Sequence, residues 1–405
     1  MKKDKFYSRF QLIYFVFLAG WGMFFPYFNV YLEQSLGFSG REIGAVIFVS
    51  LFVSVLVSPI WGILGDRTGK YRLVLQGLTL IYAVAAFLLF QMEVFLMVVI
   101  FTTLLEALGI GIIPMVDVLT VDYCEKLGLD FGRIRLAGSF GWVIGNVLVA
   151  TLVSHLMFDL GAVMFLFHIG LTFVAFLIAF FLPEVGGDLN VDDADLSVSE
   201  VDESQNHGHV KALFANPAFV FLMIFNLLTF SLLDGTMAYA GNHLVMTLGA
   251  AESAVGWLQV VSALPEIVFF LVATKLMKKI GFKKFYVVSL LSVIARFVVY
   301  SFTESVVLFL GISVLSPLMV SVAVIGNVLY LKKHVSKHLI GSAFMINTAV
   351  LTMGRAVFSY IFGELYDHVS SFAIFRVSII FFVIALVLAL RTKHFDVLSD
   401  ESMDI

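Results

Sequence analysis

Continuous apolar runs of about twenty residues recur twelve times along this chain, separated by short polar turns. No other feature constrains the fold as tightly. A helix rising ~1.5 Å per residue needs ~20 apolar residues to cross a ~30 Å hydrocarbon core. The runs cover about 9–36, 40–64, 71–91, 94–121, 132–156, 161–183, 211–248, 253–277, 284–302, 305–331, 338–362 and 368–391. They are continuous rather than alternating with period two, which excludes a β-barrel. Only 13% of the 405 residues are charged, and the mean hydropathy is +1.01. An average soluble domain carries ~25% charge to cover its surface. A soluble enzyme, a nucleic-acid binder and a disordered chain are therefore excluded. The first run follows Met-Lys-Lys-Asp-Lys but lacks a short apolar core ending in a small-x-small cleavage site, so it reads as a helix and not as a signal peptide. Cys124, the one cysteine, can form neither an internal disulfide nor a cysteine zinc site, and reads as a small apolar filler.

Lys and Arg set the orientation. Twenty-one of the 25 basic residues fall on one side if the N-terminus is cytoplasmic; Arg41 lies outside, and Arg296, Arg355 and Arg376 lie within runs. Both termini are expected in the cytoplasm of a multi-pass cell-membrane protein. Residues 184–210 hold eight Asp/Glu and no Lys or Arg, and read as an acidic linker between a half at 1–183 and a half at 211–392, with a polar tail at 393–405.

The two halves match at an offset of 212 residues: Gly37 with Gly249, Gly44 with Gly256, Arg67 with Lys279, Gly69 with Gly281 and Arg72 with Lys284. Two six-helix halves form a transporter plan with solute bound near mid-membrane. The turn after the second run contains Gly62, Asp66, Arg67, Gly69 and Lys70. Gly62 is expected to allow close helix approach, Asp66 to pair with the Arg and a helix N-terminus, and Gly69 to make a tight turn. The turn resembles the cytoplasmic loop of the major facilitator superfamily, which implies a gating role. Its second copy, Lys275 to Lys284, lacks the acid. The turn is not a nucleotide-binding loop, because three residues rather than four separate Gly65 from Gly69-Lys70, and Tyr71 replaces the required Ser/Thr.

Ionisable side chains inside apolar runs cost ~2.5–3.5 kcal/mol each on insertion scales and need a reason. Seven stand out as candidates: Glu106, Asp117, Arg135, Asp234, Glu266, Arg296 and Arg355. If all three bases pair, one carboxylate is left over as a proton carrier. Glu106 and Asp117, 11 apart, share a face of the fourth run; Arg135 and Trp142, and likewise Gln259 and Glu266, are 7 apart. A carboxylate, a guanidinium and an indole on one cavity suit a polyhydroxylated ligand.

Phe131-Gly132-Arg133-Ile134-Arg135-Leu136-Ala137-Gly138-Ser139-Phe140-Gly141-Trp142 resembles the FGRxRxxGxxGW segment of the lactose permease family of oligosaccharide–proton symporters. Phe24-Phe25-Pro26-Tyr27-Phe28 resembles the same family. Phenylpropionate permeases are similar too. The resemblance implies an all-α fold of twelve transmembrane helices in two pseudo-symmetric halves. It implies Asp117 and Arg135 as a substrate-binding pair, Trp142 as a sugar-stacking plate, Glu266 as a binding acid and Arg296 as an aid to proton release. It also places Asp234 and Asn242 at polar seventh-helix positions. One departure stands out: the tenth run has no ionisable residue between Leu310 and Val322, only Ser313, Ser316 and Ser321. Glu106 is the expected substitute carrier, and Arg355 lies near the family's eleventh-helix Lys.

The expectation is a monomeric secondary transporter, not an enzyme, that needs no cofactor or metal and uses the proton as coupling ion. It would import a hydrophilic solute, an oligosaccharide or a nucleoside, with an aromatic acid as the alternative. A drug/proton antiporter is disfavoured because Gly138 to Gly145 contains no Pro; a non-transporting sugar sensor would carry a signalling domain, and none is appended. No HExxH or GxSxG supports a membrane-embedded enzyme.

Overall fold

The computed structural model describes residues 5–156, 158–184, 211–336, 339–392 and 395. Except for Glu184 and Phe395, the expected linker at 184–210 and tail at 393–405 lie outside the described residues. No strand occurs among those described. The first six spans are α1 (Lys5–Gln34), α2 (Gly40–Thr68), α3 (Tyr71–Phe90), α4 (Phe95–Leu127), α5 (Phe131–Leu156) and α6 (Leu160–Ala179). The later spans are α7, within Pro217 to Thr247; α8 (Ser253–Ile280); α9 (Phe282–Phe302); α10, within Val306 to His334; α11 (Ile340–His368); and α12 (Ser371–Arg391). Among the described residues ten helices are long and apolar enough to cross a membrane, with a shorter apolar helix at Val306–Val320, so the chain is a multi-pass membrane protein.

Local chemistry sets the helix ends. Ser39 and Glu42 form a reciprocal capping box at the start of α2, and Asp159 caps α6 through the Ala162 N–H at 2.8 Å. The seventh apolar run starts at 211, but α7 begins at Pro217, where Asn216 caps the first turn and proline loses no needed donor. The 212-residue repeat is visible in the backbone. Gly37 and Gly249 adopt φ of 71° and 66°, and Gly69 and Gly281 adopt 61° and 87°, which only glycine accepts without strain. The start of each half's third helix is also tied to the end of its sixth: Arg72 donates to the Leu182 carbonyl at 3.0 Å, and Lys283 to the Thr392 carbonyl at 2.9 Å.

Two spans are not continuous α-helices. α7 passes from Pro217–Asn226 through a wide π-type turn at Leu227–Ser231 to Leu232–Met237, then through Ala240–Asn242 to a second π-type segment at His243–Thr247. α10 runs through Val306–Ile312, a tight 3₁₀ turn at Ser313–Leu315, Ser316–Ser321 and a π-type segment at Val322–Gly326 to Asn327–His334. Such interruptions leave backbone groups free of the regular ladder and collect at functional sites.

The chain groups into two compact units, Met1–Ala194 with Leu244–Val260, and Asp195–His243 with Val261–Ile405. In α3 both sides are apolar. Leu75, Leu78, Tyr82 and Leu89 are buried, while Leu73, Ile81, Val84 and Phe87 are at least half exposed. A helix apolar all round suits a hydrocarbon solvent, and lipid covers the exposed side.

Candidate functional site

In the first unit, helix contact is set by small residues. A Cβ on Gly141 would strike the carbonyl of Phe15, and one on Gly145 the carbonyl of Ala19; one on Gly22 would meet the Trp142 carbonyl at 2.5 Å. α1 and α5 therefore touch backbone to backbone, and that contact sets where α5 carries Arg135 and Trp142. Gly141→Ala is expected to destabilise the protein by about 1–3 kcal/mol, as overpacking does. The check is the thermal unfolding midpoint in detergent; an unchanged midpoint would refute the close contact.

Arg135 then meets α4. Its Nε donates to Asp117 Oδ1 at 3.1 Å, and the Tyr14 hydroxyl of α1 donates to the same oxygen at 2.6 Å. Thr120 Oγ1 lies 3.2 Å from the same Tyr14 hydroxyl. Tyr14 is buried, whereas the Asp117 and Arg135 side chains are 30% and 45% exposed. One carboxylate is thus held by two donors on two helices and stays partly exposed. The sequence reading missed Tyr14. Its signal is the seven-residue spacing of Tyr7, Tyr14 and Trp21, which puts polar tips on one face of α1.

Glu106, Ile110, Ile113 and Asp117 are each half-buried and form one stripe along α4, so the predicted shared face of the two acids exists. Glu106 lies within electrostatic reach of the buried Tyr82. Trp142 is half-buried. Gln259, half-buried on α8, groups with this unit, while Glu266, two turns along the helix, groups with the other.

In the second unit, a polar seam joins α7 to α11. Asn226 Nδ2 donates to Asn347 Oδ1 at 2.6 Å, Ser231 Oγ to the Leu351 carbonyl at 3.1 Å and Tyr239 to the Ser359 carbonyl at 2.8 Å. A Cβ on Gly354 would meet Leu227 and Ser231 at 2.5 Å, and one on Gly235 would meet Phe358 at 2.6 Å. Asp234 and Arg355 lie along this seam, both exposed, with the guanidinium charge acting on the carboxylate. Asn242 is fully buried.

Arg296 differs from the other intramembrane bases. It is 1% exposed and donates from Nε to the Tyr300 hydroxyl at 3.0 Å, from Nη1 to Ser316 Oγ at 3.0 Å and from Nη2 to Met237 Sδ at 2.8 Å. Its cation also faces the Tyr300 ring at 5.1 Å. None of these partners is a carboxylate. Arg296 therefore takes no acid among the described residues; Tyr300, Met237 and the Ser316 that the broken α10 presents accept from its donors instead. Glu266 is half-buried and has no hydrogen-bond or ion-pair partner among the described residues.

The turn between α2 and α3 also corrects two expectations. A Cβ on Gly62 would meet nothing within 4 Å, so Gly62 marks no close approach; Gly65 does, with the Tyr71 ring 2.7 Å from its Cβ position. Asp66 accepts a hydrogen bond from the Tyr71 hydroxyl rather than pairing with Arg67. The sequence places an aromatic there, and its hydroxyl reaches the acid first. Gly69 is the left-handed C-cap of α2, as expected, and Arg67 and Lys70 are exposed.

Residues 7–377 match the MFS_1 like family over most of the chain. This chain belongs to the MFS_1-like family. It is a membrane transporter, not an enzyme, and it is 26% identical to a maltose permease of Geobacillus stearothermophilus over 296 residues, 72% of this chain and 70% of that one. It is 25% identical to a probable 3-phenylpropionic acid transporter of Escherichia coli (strain K12) over 292 residues, 70% of this chain and 71% of that one. The fold is shared with the crystal structure of the nucleoside transporter NupG at a TM-score of 0.82 and 16% identity, covering 96% of this chain and all of the other (100%).

Proposed function

We propose that this MFS_1-like transporter imports a neutral hydrophilic solute, an oligosaccharide or a nucleoside, together with protons by alternating access. The observation that carries the reading is Asp117: an open carboxylate held by Tyr14 and Arg135, with Trp142 two turns further along α5. A solute hydroxyl pair can take bonds from the guanidinium and give them to the carboxylate, while a pyranose or base ring lies on the indole. The named activity of the maltose permease relative supports the sugar class.

Glu106 and Glu266 serve as the proton-coupling acids in this reading, with Arg296 held ready to stabilise one of them when it ionises. Gln259 supplies a further ligand-facing amide, and Asp234 with Arg355 supplies charge on the α7–α11 seam. The α2–α3 turn acts as a gate on the cytoplasmic side, where both termini lie. The chain works as a monomer and needs no cofactor besides the proton. An aromatic acid is the second reading, with Arg135 or the exposed Arg355 to take its carboxylate, and the named activity of the phenylpropionic acid relative supports it.

The test is an uptake screen. Vesicles holding the purified protein are given an inward proton gradient and radiolabelled sugars, nucleosides or aromatic acids. Gradient-driven accumulation of a sugar or nucleoside is the expected result. Accumulation of aromatic acids alone would shift the assignment to the second reading. Export of lipophilic cations with no uptake would sink both.

A further inference from the structure

A groove of about 550 Å³ runs between α2 and α3 on the apolar outer side of the first unit. Trp61 and Leu64 of α2 and Leu73, Gly77 and Ile81 of α3 line it, and Lys70 stands at one end. One wall is rigid, because the Trp61 indole N–H donates to the Ala107 carbonyl at 2.6 Å. Gly77 leaves the groove open, since a Cβ there would meet nothing within 4 Å. From Lys70 to Ile81 the helical rise spans about 16 Å, half of a ~30 Å hydrocarbon core. The groove therefore has the depth of one leaflet and a cation at its polar end.

The charges around that end favour an anion. Arg67 and Lys70 are exposed, Asp66 is engaged by the Tyr71 hydroxyl, and Arg72 is paired with Glu184 at 3.5 Å. We propose that the groove is a binding site for one anionic phospholipid, with an acyl chain lying against Gly77 between α2 and α3 and the headgroup phosphate on Lys70. The site lies beside the α2–α3 turn, so an occupied groove would join lipid composition to that turn. It does not depend on which solute is carried.

The experiment uses the full-length protein reconstituted with equal amounts of phosphatidylglycerol and phosphatidylcholine, with retained lipid read by native mass spectrometry. The expected result is a preference for phosphatidylglycerol of about fivefold in the first lipid bound, the advantage of one cation near an anionic surface. Lys70→Gln is expected to bring that ratio close to one. Gly77→Leu, whose side chain enters open space, is expected to reduce retention of both lipids. Ile81→Trp fills the groove from its far end at a position that is 51% exposed, and so tests occupancy even if the Gly77 variant fails to fold. Equal retention of the two lipids by the wild type overturns the proposal, as does a wild-type ratio in Lys70→Gln. So does a wild-type lipid load in a folded groove-filling variant.

Discussion

Asp117→Asn is expected to weaken solute binding by about 10- to 100-fold, and Arg135→Gln by a similar factor. Hydrogen bonds to charged groups contribute about 1.5–3 kcal/mol, and 1.4 kcal/mol is a factor of ten. Asparagine keeps the shape but loses the charge that holds the Arg135 guanidinium and the Tyr14 hydroxyl on one oxygen. Arg135 then swings free, and the solute loses two oriented partners at once. The pair is 30% and 45% exposed, so it adds little to folding, and thermal stability should change far less than affinity. Tyr14→Phe should give a smaller loss of the same kind, because Arg135 still holds the carboxylate. Solute binding to the purified variants, measured beside their unfolding midpoints, separates the two effects. Wild-type affinity and uptake in both single variants would mean that the pair only joins α4 to α5.

Glu106→Gln and Glu266→Gln are each expected to abolish uphill accumulation while leaving equilibrium exchange of solute across the membrane. A gradient of about one pH unit is worth 1.36 kcal/mol and supports about tenfold accumulation at one proton per solute. In the variants the ratio should fall to about one. Glutamine matches the protonated form of glutamate in size and in offering both a donor and an acceptor but cannot release a proton, so it separates coupling from shape. Exchange needs no net proton movement and should survive. Accumulation assays under a proton gradient, run beside counterflow assays, measure both. Wild-type accumulation in Glu106→Gln with loss only in Glu266→Gln would remove Glu106 from the coupling path.

Much of this molecule is legible from one sequence because its physics is local. A run of twenty apolar residues must be a spanning helix, since hydrocarbon offers backbone groups no other partner. Gly69 makes the tight turn expected of it, and Gly37, Gly249 and Gly281 share its positive φ. The resemblance to the lactose permease family implied Asp117 and Arg135 as a pair, and the two do meet.

What only the tertiary structure decided is which neighbour satisfies each polar group. Tyr14 joined the Asp117 pair through a contact across 103 residues, which no periodicity reports. Tyr71 took Asp66 from the neighbouring Arg, and Gly65 rather than Gly62 proved to be the close contact. Arg296 found Ser316, Tyr300 and Met237 instead of an acid because α10 breaks near Ser313 and turns its serines toward α9. The apolar pattern determines that a residue lies in the membrane, since that follows from solvation along its own segment. Partner choice depends on ångström-scale placement of several helices at once, and so only the packed structure decides it.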